Sequence, residues 1–425
     1  MIDRKIAQCN YCKTKIGLRF QMGYFDIPFD FRCPECGVRI HGIRKITTDD
    51  SLNLNNARII NTDAENMNYY ADFSVELPHV KITKYESLDK ILENGFSPFM
   101  LAIQLYGDEY QNKLIPRIRS FLWFRDNTWK RLLPLFDLYF NNKIELTEEH
   151  FLQLSPRFVV KHKLDALMAL HQSTVLGFGS ILEDDALTRF MDITSKIMMP
   201  GMFLKIDDLI SALGGEPYFT SISKRIVNIY SRWIDSFEKY IPAVMLSMGG
   251  ASEKFDKNVF GIATTNFEDM KSFYADSYEL ILDFVDIAIG LNNIAVRGDY
   301  NSFCTIVDNS KNQVVSFVEY QKKVKSAHLE YLVDNEPFSK TIPLKRNVRN
   351  AIAHFNYEFD ASSQKIVFRD KHKDKENTVE LFLIDLALLC YDNMMILAYL
   401  DELSYTLQKV RYTKNGMHPN IKLPK

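Results

Sequence analysis

Beyond about Ser97, apolar residues recur at i, i+3 and i+4 through much of the chain, the spacing of helices that bury one face. The pattern predicts helices over Lys161–Gln172, Ala186–Met198, Lys224–Tyr240 and Met270–Asn292, with loops at Gly214–Gly215 and Gly249–Gly250. A last, strongly apolar helix is predicted from about Thr378 to Val410, followed by a loose tail containing Gly416 and Pro419. The first 46 residues read differently. Short apolar pieces, Ile16–Phe20 and Val38–Ile43, are punctuated by Gly17, Gly23, Pro28, Gly37 and Gly42, which predicts strands and tight turns. Between these regions, Asn- and Asp-rich loops surround two candidate strands, Tyr69–Glu76 and His79–Lys84. After His354, Tyr357–Phe359 and Lys365–Phe368 predict a hairpin turning at Ala361–Ser363, with the charged run Asp370–Glu376 as a solvated loop. The expected class is mainly α, with a small β module at the N-terminus. The expected division is 1–46 for that module, 47–95 for a mixed connector, 96–254 for a helical middle region, 255–412 for a helical domain and 413–425 for a flexible tail.

Composition adds limits. A chain of 425 residues with 46% hydrophobic and 25% charged residues is ordinary for a globular protein. The net charge of −2 gives no global pull towards nucleic acid or membrane. Residues 1–46 nevertheless carry nine Lys/Arg against four acids, a local +5 that leaves −7 for the remainder. The N-terminal MIDRKIAQC has no apolar signal region, and acids interrupt the most apolar stretches, Asp283 and Asp286 in one, Asp385 and Asp392 in the other. These features predict a cytoplasmic protein with no membrane partner.

Four of the six cysteines form two C-x-x-C pairs, Cys9/Cys12 and Cys33/Cys36, with 20 residues between the pairs. That is the spacing of a tetrahedral zinc ribbon, each pair on a tight turn that points two sulfurs at one ion. Gly37 falls where such a turn needs a left-handed residue. Four thiolates close the coordination shell, so the zinc is expected to be structural and not catalytic. Cys304 and Cys390, in apolar helical surroundings, are expected to be buried thiols, and His41 is a competing ligand that four cysteines make unnecessary. The positive charge of the ribbon suits nucleic acid, although many ribbons only bind protein.

The candidate chemistry lies in Lys345–Asp360, KRNVRNAIAHFNYEFD. Pro343 is a good helix-start residue, and Val348, Ala351, Ile352 and Phe355 give an apolar stripe. Asn350 and His354 are four apart and share a face; Arg346 lies a turn earlier, and Arg349 reaches round from about 100° away. The stretch resembles the HEPN superfamily, whose helical domains carry an Arg-x4–6-His motif, usually with a polar residue directly after the arginine. Here the match is Arg349, Asn350 and His354, preceded by one long amphipathic helix and followed by a hairpin and a long apolar helix, over roughly residues 255–412. Arg157/His162 and Arg411/His418 also fit the bare spacing. The first is followed by Phe158, and the second lies in the Gly/Pro-containing tail.

The resemblance implies an endoribonuclease that needs no catalytic metal. His354 would act as general base or acid on a ribose 2′-hydroxyl, Arg349 would hold the scissile phosphate, and Asn350 would orient the imidazole or contact the phosphate. Lys345, Arg346 and Tyr357 are candidate RNA contacts. HEPN proteins typically pair so that two motifs face one cleft, which implies a homodimer with a composite site. By the same analogy the protein would be a toxin or anti-phage abortive-infection effector, held in check by a trigger or inhibitor acting through 96–254. Two alternatives stay open: His354 bonding the hairpin while Arg349 pairs with an acid such as Glu358 or Asp360, and a non-catalytic zinc-ribbon/HEPN module that binds nucleic acid or protein.

Weaker signals remain. Lys113–Arg131 interleaves six basic residues with Phe121, Trp123, Phe124 and Trp129, either an RNA track or an amphipathic helix, and the helix is preferred. Gly177-Phe-Gly179 lacks the third glycine of a dinucleotide loop, no phosphate-cradling loop of the Walker type is present, and no basic recognition helix of a helix-turn-helix stands out.

Overall fold

The computed structural model describes residues 2–46, 52–63, 66–87, 97–303, 316–332, 337–338, 345–372 and 375–420. Helices hold more of that chain than strands do, and the strands concentrate in the N-terminal region. The chain divides into two compact units, each assembled from three separate stretches.

The first unit comprises 1–118, 236–275 and 345–392 and carries the described strands. In chain order these are β1 Ile2–Cys9, β2 Lys15–Gln21, β3 Ile27–Arg32, β4 Arg39–Arg44, β5 Leu52–Asn55, β6 Ala57–Ile60, β7 Tyr69–Phe73, β8 His79–Val80, β9 Thr83–Lys84, β10 Phe260–Gly261, β11 Tyr357–Asp360, β12 Lys365–His372 and β13 Lys375–Phe382. One sheet has the order β6-β1-β2-β7-β9, and a second has β3-β4-β5. The strands of residues 1–46 therefore do not close on themselves: β6 pairs with β1, β7 lies parallel to β2, and β5 pairs with β4. Alternation along β3 explains the packing, since Ile27, Phe29 and Phe31 are buried on one face. Phe29 and Phe31 meet Phe73 of β7 at centroid distances of 5.4 and 5.5 Å, and Phe20 of β2 stacks on Phe73 at 5.1 Å. Beneath this cluster Arg19 is buried against Asp72, its second nitrogen 2.6 Å from Oδ2.

β11, β12 and β13 form a three-stranded antiparallel sheet. The expected hairpin is its first half. The charged run expected as a loop is strand where it is described: Asp370 and Lys371 pair with Asn377 and Glu376 in the β12–β13 ladder, and 373–374 lie outside the described residues. Thr378–Phe382 likewise belongs to β13, and the closing helix starts later than expected, running Leu383–Lys414. Its alternating charge carries no apolar period, which hid the strand. By length and composition the closing helix is apolar enough to cross a membrane despite its two early acids, yet 83% of its most apolar window is buried inside the protein. It is a core helix.

The second unit, 119–235, 276–344 and 393–425, is helical among its described residues. Helix Lys163–Phe178 opens with a capping box in which His162 accepts from the Asp165 backbone and Asp165 accepts in return. Phe178 at its end packs on Phe121, Phe124 and Tyr230. A Cβ on Gly177 would meet the Phe124 ring at 2.4 Å, so this glycine serves close packing. Phe121, Phe124 and Trp129 are buried, as an amphipathic helix requires, whereas Trp123 is exposed. Helix Gly215–Asp235 follows the left-handed Gly214 and buries Ile222, Ile226, Tyr230 and Trp233. The tail is tied down as far as it is described: the Asn420 backbone donates to Asp165 at 2.7 Å, and the His162 ring lies 2.9 Å from the His418 carbonyl oxygen. That contact gives the His162 ring a structural partner. Cys390 is buried, while Cys304 and Pro343 lie outside the described residues.

Candidate active site and metal centre

Strand β1 delivers Cys9 and β3 delivers Cys33 at the starts of two equivalent turns. Each turn closes with a backbone bond from the residue four further on, Lys13 to Cys9 at 3.2 Å and Gly37 to Cys33 at 2.9 Å. Both closing residues are left-handed, Gly37 at φ +72° and Lys13 at φ +66°. The four sulfurs converge within 4.8 Å of one another. Cys12 and Cys33 are 3.5 Å apart and Cys9 and Cys36 are 3.7 Å apart. A disulfide would need about 2.0 Å. A tetrahedral ion bound at about 2.3 Å spaces its sulfurs by roughly 3.8 Å. The donor set fits a metal ion, and four thiolates are compatible with structural zinc.

Part of the positive charge of residues 1–46 is held in pairs. Arg44 is held by Asp3 at 2.7 Å and Arg39 by Asp30, both acids already in the net count, whereas Arg19 is consumed by Asp72. Asp72 comes from β7, outside the module read from the cysteines, so sequence counting overstated the free charge. Tyr70 donates to the same carboxylate at 3.2 Å.

The candidate catalytic residues sit on helix Arg346–Ala353 and its cap. Val348 and Ala351 bury one side of this short helix. His354 ends it: its N–H still bonds to the Asn350 carbonyl at 3.0 Å, and Phe355 then turns left-handed at φ +56°. The His354 ring is exposed, and among the described residues nothing bonds to it. Arg349 donates to Asn350 Oδ1 at 3.2 Å, and Asn350 Nδ2 donates to Asp370 Oδ2 at 3.2 Å. Asp370 is buried on β12.

The two acids named as examples for Arg349, Glu358 and Asp360, are committed elsewhere. Glu358 is bound by Arg369 at 2.8 Å, which holds its carboxyl below the usual range. Asp360 is held down to about 2, chiefly by the Ser363 hydroxyl bonded at 2.6 Å. The expectation that His354 bonds the hairpin is likewise not met. Instead the main chain makes that link: Asn356 bonds Ala351 at 2.9 Å and receives the Arg369 N–H at 2.9 Å.

No known family model, curated protein or solved structure matches this chain. The site therefore has to be read from its own residues. Lys345 and Arg346 are exposed at the start of the helix, with the Lys345 carbonyl bonded by Tyr274 at 3.3 Å. Tyr357 is committed differently. Its hydroxyl accepts from Lys271 at 2.6 Å, and the same ammonium lies 4.7 Å over its ring. Lys271 also pairs with Glu268 at 2.5 Å. Asp370 and Lys271 are the two residues that sequence reading missed. Asp370 was hidden in a run taken for a loop, and Lys271, 86 positions before Tyr357, carries no local signal.

Proposed function

We propose that Arg349, Asn350 and His354 form the active site of an endoribonuclease that cleaves RNA by attack of a ribose 2′-hydroxyl and uses no catalytic metal. What supports this reading is one arrangement: an exposed, unbonded imidazole at the end of a helix whose preceding turn carries a guanidinium and an amide braced on Asp370. An imidazole titrates near neutrality and suits proton transfer; a guanidinium binds a phosphate in a fork. In the reaction the 2′-oxygen bonds to phosphorus and the P–O5′ bond breaks. The 2′-proton leaves to a base and the 5′-oxygen takes a proton from an acid, giving a 2′,3′-cyclic phosphate and a 5′-hydroxyl. His354 supplies one of these transfers. A second chain in a homodimer would supply the other, which is the role of the composite cleft the HEPN resemblance implies. Arg349 would stabilise the charge that grows on the phosphate, and Asn350 would fix the guanidinium. By analogy alone we place the activity in a toxin or anti-phage effector acting in the cytoplasm.

The test is purified protein incubated with total RNA in EDTA, with bound zinc measured before and after. Cleavage by the wild type that is lost in His354→Ala supports the reading. Equal cleavage by both proteins, or none by either with dimer formation verified, would sink it and favour a binding module.

A further inference from the structure

The first unit encloses a cavity of about 370 Å³ that the proposed reaction does not use. The zinc-binding turn and β3 form one wall, helix Phe267–Arg297 another, and the β11–β12 turn a third. Phe31, Phe73, Phe267 and Phe359 supply aromatic surface to it, the last two stacked at 5.0 Å and 19°.

The polar groups at its wall are unequally satisfied. His79 is 3% exposed, and its Nδ1 lies 3.2 Å from the Val80 carbonyl oxygen. A carbonyl can only accept, so the proton is on Nδ1 and Nε2 is a bare acceptor. Burial lowers the imidazole's proton affinity, which keeps the ring neutral. That Nε2 is buried with no partner, an arrangement that is unfavourable when nothing fills it. A ligand at this point must therefore present an N–H or O–H.

The charges are unequal as well. The three acids lining the cavity are each matched: Asp30 by Arg39, Glu268 by Lys271 and Asp269 by Lys239. Two cations are not. Lys81 donates to the carbonyls of Lys257, at 2.7 Å, and Ser363, and Arg32 donates to the Gly37 carbonyl at 3.1 Å. Neither makes an ion pair among the described residues, although Lys81 lies 4.5 Å over the Phe382 ring and feels the field of Asp256 and Asp360. The lining thus offers aromatic faces, one buried acceptor and two cations, Lys81 and Arg32, that make no ion pair among the described residues.

We propose that this cavity binds one nucleotide unit, its base between the aromatic walls with an N–H on His79 Nε2, and its phosphate at Lys81 and Arg32. Every base has a face that stacks and an N–H that donates, and a phosphate suits both cations. The volume lies within the range of small-molecule sites. The same chemistry is presented by a free mononucleotide and by one residue of an RNA strand. The proposal does not rest on catalysis at His354, because binding is read directly.

The experiment is calorimetric titration of the full-length protein with AMP, GMP, CMP and UMP, with inorganic phosphate, and with a non-cleavable 2′-O-methyl hexanucleotide. Saturable binding of at least one mononucleotide, stronger than that of phosphate, supports a free nucleotide. Binding of the hexanucleotide without any mononucleotide supports a residue of an RNA strand. Lys81→Met should weaken either by at least about tenfold, the effect of one lost charge-assisted bond. Ala361→Trp, a change in the turn at the cavity wall rather than in the core, should block either sterically. Both variants are checked for an unchanged circular dichroism spectrum. Phosphate binding as tight as that of the nucleotides, binding unaffected by both substitutions, or no binding by any probe overturns the proposal.

Discussion

The Asn350 side chain donates to Asp370 Oδ2 at 3.2 Å, tying helix Arg346–Ala353 to the middle strand of a three-stranded sheet. Asn350 in turn accepts from Arg349, so a buried carboxylate sets where an amide and then a guanidinium point. Asp370→Ala removes the acceptor and leaves the amide free to rotate. We expect RNA cleavage to fall by about tenfold, equivalent to roughly 1.4 kcal/mol in transition-state binding, with a stability loss of about 1 kcal/mol. Asp370→Asn, which keeps an acceptor, should fall less. Measuring kcat/KM beside a urea titration separates positioning from unfolding, and a loss of stability with unchanged kcat/KM would reject the positioning role.

The four-sulfur cluster predicts one zinc per chain and a stability that depends on it. Cys12→Ser should lower the metal content measured by mass spectrometry and lower the thermal midpoint. Stripping zinc from the wild type with a strong thiol-competing chelator should reproduce that midpoint. Metal-free protein that melts like the wild type would show that the cluster does not hold the sheet together.

Arg19 and Asp72 form a buried pair at the centre of the N-terminal sheet. Arg19→Met leaves a carboxylate in the core with only Tyr70 donating to it, which should destabilise by about 3–5 kcal/mol. The double change Arg19→Met with Asp72→Leu removes the stranded charge and should recover most of that loss. A double variant as unstable as the single one would place the energy in the pair itself.

In the helical unit, burial pushes the Asp401 carboxyl up to about 6, opposed by the nearby His171 and assisted by Glu402. A raised folded value means that between about 4 and 6 the folded chain binds more protons than the unfolded one. The stability this group contributes is therefore present at acid pH and is lost as pH rises through about 6. Asp401→Asn keeps an acceptor for Tyr230, whose hydroxyl lies 3.3 Å away, and cannot ionise. Thermal melts at pH 5 and pH 7.5 should show the variant gaining on the wild type at the higher pH. A constant difference across that range would contradict the assignment.

Cys9, Cys12, Cys33 and Cys36 were legible because metal-binding turns are local, with chemistry and spacing in one stretch of sequence. The long helices were legible for the same reason, their buried faces repeating every turn. Residues whose roles depend on distant strands were not. Asp72 neutralises Arg19 from 53 positions away, and Asp370 braces Asn350 from a strand whose charged sequence looks like a loop. His354 was placed near the end of the helix and caps it, but the left-handed Phe355 that follows carries no glycine to announce the break. Such positions are fixed by tertiary pairing, which overrides local propensity.

The central claim is that His354 and Arg349 cleave RNA through the 2′-hydroxyl. It is tested most directly by mapping the ends of a defined RNA after incubation with the wild type, His354→Ala and Arg349→Ala, alongside the same RNA carrying 2′-deoxy residues at the cut sites. The account predicts 2′,3′-cyclic phosphate and 5′-hydroxyl ends with the wild type alone, and no cutting at deoxy positions. Ends bearing 3′-hydroxyl and 5′-phosphate, or cutting that survives His354→Ala, would contradict it.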